Sequence, residues 1–331
     1  PMTARMNATD HYIRSYQELF MLRTYLRHIL FYTALTAGLI LPCSGCAARK
    51  QTLYEKQLLY FDTVLTLQFY AGEDGDELME HCIALCEDYE QIFSRTDPGI
   101  ELYALNHRST PSVEVSDELA ELITVGLEYH EKSGGLFDIT IAPLSDLWDF
   151  KSQDPGIPDE EDIRRELAKV DASGISIEDH TVTFASDDIM IDLGALVKGY
   201  AADQMKAYLT EHGVVSGNLN LGGNVLTIGR KPDGSAWRIG VRMPFDPGNG
   251  LADVIEAEDQ TVVSSGIYER CFEKDGVIYH HILDPGNGYP IRNDIWGVTI
   301  VCDSSLRGDA LSTTCLTLGF EKVCEFLAAQ E

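Results

Sequence analysis

The chain has 331 residues, 44% of them apolar, which suffices for a sizeable core and excludes wholesale disorder. Its 25 Lys and Arg stand against 53 Asp and Glu, a formal charge of −28, and this excludes nucleic-acid binding through a basic face. A polyanionic substrate needs a local exception, such as a metal ion or a few placed cations.

In chain order, Arg23 and Arg27 precede an apolar run from Ile29 to Leu41 that ends at Pro42-Cys43-Ser44-Gly45-Cys46. A basic flank, a short apolar segment and small residues before a cut site describe a secretory signal. The run falls short of the roughly 20 residues that cross a bilayer as a helix. Ser44-Gly45-Cys46 resembles a bacterial lipoprotein box, which makes Cys46 the expected lipid-bearing residue, with a plain signal anchor as the alternative. A start at Met21 gives a normal signal length. Residues 47–58 read as a tether. Tyr60 to Phe69 alternates and is rich in β-formers, so it is expected to be a strand. Asp74 to Phe93 reads as an amphipathic helix, as does Ser116 to Ser133, with Ser116 as N-cap and Gly134 as stop.

A Pro-rich acidic loop and a short helix follow over 152–169. Strands are expected at Thr181–Phe184 and Ile189–Leu193, then a helix from Ala195 to His212 closed by Gly213. Short β segments fill Asn218 to Val301, and Leu306 to Ala329 is expected to be a final helix. Helices and strands mix without strict βαβ alternation, which favours α+β over a doubly wound sheet. Downstream of the signal no Cys pair has zinc spacing. Buried small hydrophobes are the expected role of those cysteines, although an exported chain can form one disulfide.

Three segments carry chemistry. In Asp192-Leu-Gly-Ala195-Leu-Val-Lys198-Gly-Tyr a strand runs into a helix start, where free backbone N–H groups attract phosphate and Lys198 adds a point charge. In Asp309-Ala-Leu-Ser-Thr313 a carboxylate and a hydroxyl lie one helical turn apart, on one face, as two hard oxygens for Mg²⁺. In His280-His281-Ile282-Leu-Asp-Pro the two adjacent imidazoles face opposite sides of a strand, so they do not share one metal. Taken singly, each pattern has a structural reading: a capped helix, an N-cap with an unrelated Thr, a core histidine. Dinucleotide-binding G-x-G-x-x-G, a Walker loop, H-E-x-x-H and G-x-S-x-G are absent.

With Gly135-Leu136-Phe137-Asp138-Ile-Thr on a pocket wall, these segments in this order resemble the ApbE family, the FAD:protein FMN transferases. The resemblance runs from about Tyr60 to Phe326. It also takes in Phe61-Asp62-Thr63 where many relatives have Met-Gly-Thr, Phe93-Ser94-Arg95 to Leu105-Asn106, Asn220-Leu-Gly-Gly-Asn224 and Ser265-Gly-Ile-Tyr-Glu-Arg270. It implies a T-fold-like α+β catalytic unit over 59–331, behind a leader (1–45) and a tether (46–58). The family usually closes with a further strand after the last helix, so either the sequence is truncated there or that strand is absent. It implies Mg²⁺ held by the Ala195 carbonyl, Asp309 and Thr313. Phe61, Leu136, Phe137, Asp138, Asp192, Lys198 and Ile282 are then expected at the FAD, and His281 and Asp309 in catalysis.

The implied reaction moves FMN from FAD to a Thr or Ser hydroxyl of a target protein and releases AMP. FAD is thus a substrate. The implied acceptors are extracytoplasmic flavoprotein subunits of membrane redox complexes, reached by a lipid-anchored, exported enzyme. An FAD pyrophosphatase and a non-catalytic FAD-binding lipoprotein are the alternatives.

Overall fold

The computed structural model describes residues 51–248 and 250–328. The expected signal, Cys46 and the start of the expected tether lie outside these residues. The rest of that tether is instead a strand, β1 (Thr52–Tyr60), paired antiparallel with β2 (Thr63–Ala71). Thr52, Tyr54, Leu58 and Tyr60 have partners to pair with, so the segment is ordered by its ladder. The expected strand at Tyr60–Phe69 therefore crosses a hairpin turn. Phe61 and Asp62 form that turn at φ 52° and 57°, the left-handed region that favours Gly or Asn in a two-residue hairpin.

β2 alternates strictly: Leu65, Leu67, Phe69 and Ala71 are buried and the residues between them are not. Each buried leucine contributes on the order of 2 kcal/mol by leaving water. The six-stranded sheet runs β1-β2-β6-β7-β10-β13, every neighbour antiparallel, with β6 at Ser216–Leu221, β7 at Asn224–Gly229, β10 at Thr261–Gly266 and β13 at Gly297–Cys302. Mixed helices on an antiparallel sheet make the protein α+β, as its sequence implies.

Against this sheet pack α1 (Gly75–Phe93) and α6 (Val197–Glu211), with α3 (Asp117–Lys132) packed on α1, together burying Leu78, Cys86, Leu119, Ile123, Ala202 and Met205 among others. Ser116 caps α3 as expected, its hydroxyl accepting from Leu119 N at 3.3 Å. The short α2 (Glu101–Asn106) lies between α1 and α3, and its Glu101 carboxylate takes the Ser116 N–H at 2.7 Å. Ile189–Leu193 is extended but joins no sheet. The Asn106 amide supplies the missing ladder, donating to Ile191 O at 2.9 Å and accepting from Ile191 N at 2.7 Å.

A three-stranded sheet β3-β5-β4 (β3 Ser112–Glu114, β4 Ile175–Glu178, β5 Thr181–Phe184) flanks the helices. Strands β8 (Trp237–Arg242) and β9 (Leu251–Ala257) pair separately over a second core of Val225, Trp237, Ile239 and Val262. A third core joins α4 (Ala142–Trp148), α5 (Glu160–Leu167) and the hairpin of β11 (Cys271–Lys274) and β12 (Val277–His280). Its centre is Trp148, 1% exposed, whose indole N–H donates to Gly288 O at 2.8 Å.

The expected last helix is two, α7 (Ser305–Leu318) and α8 (Phe320–Ala328), broken at Gly319 with φ 77°. Among the described residues every cysteine is free; Cys82, Cys86 and Cys315 are buried, Cys271 and Cys324 exposed.

Candidate functional site

The start of α6 and the first turns of α7 meet at Gly199. An added Cβ there would lie 2.6 Å from the Ser305 carbonyl carbon, so only glycine allows the two backbones to come this close. At this contact the Gly199 N–H, a first-turn donor with no intrahelical partner, donates to Asp309 Oδ2 at 2.6 Å. Ala195 precedes the helix, and its carbonyl accepts no backbone N–H among the described residues.

One turn further along α7, Thr313 is half-buried, and its hydroxyl bonds to nothing among the described residues. Ser312 and Thr317, by contrast, bond back to carbonyls at 3.0 and 2.8 Å. A carbonyl before α6, and a carboxylate and a hydroxyl one turn apart on α7, all hard oxygens, thus lie on the two segments that meet at the Gly199–Asp309 contact. That donor set suits Mg²⁺, which takes few protein ligands.

Asp309 is 5% exposed, so it does not face the surface as a cleft residue would. Burial pushes its carboxyl up, while the Lys198 ammonium and the Asn224 amide pull it back. Lys198 lies in the first turn of α6, its Nζ 3.4 Å from Gly194 O. Asp192 is not free: Arg95 donates Nε–H to its Oδ2 at 2.9 Å and reaches Asp146 Oδ1 at 2.7 Å with its other arm. The second Asp192 oxygen accepts from Gly194 N at 2.8 Å and shapes the turn before α6.

His281 follows β12. Its backbone N–H donates to Arg270 O at 3.1 Å, and its Nδ1 lies 3.3 Å from the same oxygen. Nε2 is left to accept. Burial, then the Arg270 charge, push this imidazole down to about 4, so it is neutral at pH 7. His280 turns the other way, 3% exposed, with Nε2 2.9 Å from Ile291 O. The two rings separate as the strand rule requires. Ile282 is half-buried, and its carbonyl accepts from Ile291 N at 2.9 Å, which fixes the segment after His281.

The segment Leu136–Asp138 is held by contacts of its own. Phe137 is 3% exposed in the main core, and its N–H and C=O are spent on Ser133 Oγ (2.8 Å) and His130 Nδ1 (3.1 Å). It has no free group to offer a ligand. Asp138 is committed to its own loop: Oδ1 accepts from Thr140 N at 2.7 Å and from its hydroxyl at 2.5 Å, while Oδ2 faces His130 Nδ1 at 3.3 Å. The reason is local, because Gly134 and Gly135 both take positive φ and the turn they make must be held by side chains. Leu136 remains half-buried beside it.

At the β1–β2 turn Phe61 N donates to Glu90 Oε1 at 2.6 Å, and Asp62 forms an ion pair with Lys151. The charges of Arg270 and Arg95 also act on Asp62, and those of Arg270 and Lys198 on His281. Arg95, Lys151, Lys198 and Arg270 thus bring positive charge to the surroundings of Asp62 and His281, Arg95 and Lys151 being paired with Asp192, Asp146 and Asp62. Lys151 escaped sequence reasoning because it sits in an acidic loop with no pattern. Arg95 and Arg270 lay in recognised segments without an assigned role.

A profile of the ApbE family matches residues 61–331. The chain is 33% identical to the FAD:protein FMN transferase of Treponema pallidum over 304 residues, 86% of this chain and 83% of that one. It is 32% identical to that of Klebsiella pneumoniae, covering 84% and 87%. Among solved structures, the ApbE protein of Thermotoga maritima superposes with a TM-score of 0.77 at 30% identity, over 84% and 92% of the two chains. The apo flavinyl transferase ApbE of Pseudomonas stutzeri gives 0.76 at 28%, over 85% and 89%.

Proposed function

The chain belongs to the ApbE family, and from that premise we propose that it transfers FMN from FAD to a Thr or Ser hydroxyl of a flavoprotein acceptor, releasing AMP. The observation that supports the reading is the contact of the start of α6, which carries Lys198 and follows the Ala195 carbonyl, with Asp309 of α7, one turn before the Thr313 hydroxyl, that carbonyl and that hydroxyl being unpaired among the described residues. Mg²⁺ bound there would neutralise charge on the pyrophosphate oxygens.

Lys198 binds and orients the phosphates with its ammonium charge, at a helix start whose dipole favours anions. Arg95 holds Asp192 and thereby the turn that aims Lys198. Phe61, at the hairpin tip, offers an aromatic face for the flavin ring. His281, neutral and with Nε2 open, takes the acceptor proton as its oxygen bonds to the FMN phosphorus and AMP departs with the electron pair.

The test is to incubate the protein with FAD, Mg²⁺ and an acceptor domain bearing the target Thr, then measure AMP and the acceptor mass. AMP release is expected to be slow without acceptor and fast with it, FMN appearing on protein in equal amount. A positioned hydroxyl gains several kcal/mol over bulk water in effective concentration. His281→Asn is expected to lose this acceptor-dependent turnover. Rapid AMP and free FMN regardless of acceptor overturns the reading in favour of a pyrophosphatase. Bound FAD with no AMP under either condition leaves only a carrier.

We further propose that the domain works outside the cytoplasmic membrane, held by a lipid on Cys46 and facing extracytoplasmic flavoprotein subunits of redox complexes. The support is the basic flank, the short apolar run and Ser44-Gly45-Cys46. Cys46→Ser is expected to move the protein from the membrane fraction to the soluble one, and unchanged retention would sink the lipid anchor.

A further inference from the structure

Helix α7 carries Asp309 and Thr313, and its own beginning is held by a residue of α6 that the reaction does not use. The Asp203 carboxylate accepts from Ser305 N at 2.8 Å through Oδ1. Through Oδ2 it accepts from Leu306 N at 3.0 Å and from the Ser304 hydroxyl at 2.9 Å. It thereby satisfies N–H groups that a helix start leaves without intrahelical partners, and its negative charge sits at the positive end of the α7 dipole. The Ser304 hydroxyl, so oriented, accepts from Arg307 N at 3.3 Å.

The arrangement is reciprocal. Four residues before Asp203 on α6, Gly199 gives its first-turn N–H to Asp309; four residues before Asp309 on α7, Ser305 gives its first-turn N–H to Asp203. Each helix closes the N-terminus of the other with a carboxylate. The exchange fixes how α6 and α7 sit against each other, and so the spacing of Ala195 and Lys198 from Asp309 and Thr313. Other bonds hold α7 to the sheet instead: Ser305 Oγ to Asn224 Oδ1 at 2.5 Å, and Ser312 Oγ to Ser265 Oγ at 2.7 Å. Among the described contacts Asp203 is the α6 side chain that fastens α7.

We propose that Asp203 is a positioning residue of the metal and phosphate site: without its carboxylate α7 keeps its place on the sheet but loses its setting relative to α6. The proposal rests on the metal-assisted transfer reading above.

The experiment compares the wild type with Asp203→Asn, Asp203→Ala and Ser116→Ala, the last removing an N-cap far along the chain on α3. Two quantities are measured: Mn²⁺ affinity in the presence of FAD by electron paramagnetic resonance, and the Mg²⁺ and FAD dependence of AMP release with acceptor, well below each melting temperature. Asp203→Ala is expected to weaken Mn²⁺ about 10- to 100-fold, the range seen when a group orienting a ligand is removed. Half-saturation by Mg²⁺ rises in parallel, and the KM for FAD rises by a smaller factor, because its phosphate contacts depend on the setting of α6 against α7 and its flavin contacts do not.

Asp203→Asn, which keeps one acceptor oxygen, falls between. Ser116→Ala loses melting temperature with unchanged metal affinity. Wild-type metal affinity in both Asp203 variants, with only a lowered melting temperature, overturns the proposal. A wild type that binds Mn²⁺ but releases no AMP overturns the transfer reading alone, because the affinities still judge Asp203. A wild type that binds no Mn²⁺ overturns both.

Discussion

Asp309→Asn is expected to cut acceptor-dependent AMP release by about 10²- to 10³-fold, the range seen when one preorganised charge-stabilising group is removed, and to leave the fold intact. The Asn oxygen still accepts from Gly199 N, so the α6–α7 contact survives. The sign of the stability change follows from burial. The Asp309 carboxyl is raised above its unfolded value. Its ionisation therefore costs stability once pH climbs past the ordinary carboxylate range, and at neutral pH the charge is a burden until a cation arrives. In EDTA the variant is then expected to melt no lower than the wild type.

Adding Mg²⁺ and FAD is expected to raise the wild-type melting point but not that of the variant. At ligand a hundredfold over Kd the gain is about 2.7 kcal/mol. Calorimetry with and without metal separates these outcomes. Near-normal turnover, or a variant that is also metal-stabilised, removes Asp309 from the site. Asp309→Ala is the poorer probe, because it orphans the Gly199 N–H in a buried place at a cost of about 1–3 kcal/mol.

Gly199→Ala is expected to be as damaging by another route. The new methyl would lie 2.6 Å from the Ser305 carbonyl carbon and closer still to its oxygen, and both are backbone atoms that cannot rotate away. The helices must part. Overpacking of this kind costs about 1–3 kcal/mol of stability, and a displacement near 1 Å at a reacting site costs about a hundredfold in rate. Gly213→Ala, at a helix end where an added Cβ meets nothing within 4 Å but φ is 84°, is the control for strain without displacement. Denaturant melts and AMP release on both variants decide. A Gly199→Ala protein that turns over normally would show that the close approach of α6 to α7 is dispensable.

Much of this architecture was legible before any coordinates. α1 and α3 declared themselves through amphipathic spacing and, for α3, the Ser116 cap. The Asp192–Lys198 turn and the Asp309/Thr313 pair could be placed because a helix start and an i, i+4 spacing are local. The turn at Phe61-Asp62 was not legible, since two bulky residues at positive φ contradict the propensities that mark hairpins. Ile189–Leu193 looked like a strand because its pattern is apolar. Its partner is one distant amide, Asn106, which no periodicity reveals. The burial of Phe137 in the main core and the bonds of Asp138 to Thr140 and His130 were not legible either, because they depend on packing and not on local pattern. The role of Asp203 was hidden because a carboxylate among small helical residues shows its purpose only when the facing helix is in view.

The pairing of β2 with β6, Phe69 opposite Gly217, bears on how the protein is made. Two adjacent strands of the main sheet are separated in sequence by α1, α3 and α6 together with the β3-β5-β4 sheet. Loop closure must come before such a pairing is rewarded, and chains dominated by distant contacts fold slowly. The hairpin tip with Phe61, the turn before α6, His281 and the Asp309 helix are each synthesised far apart. The proposed nucleotide site is therefore among the last features to exist, and the chain must collapse without help from its ligand.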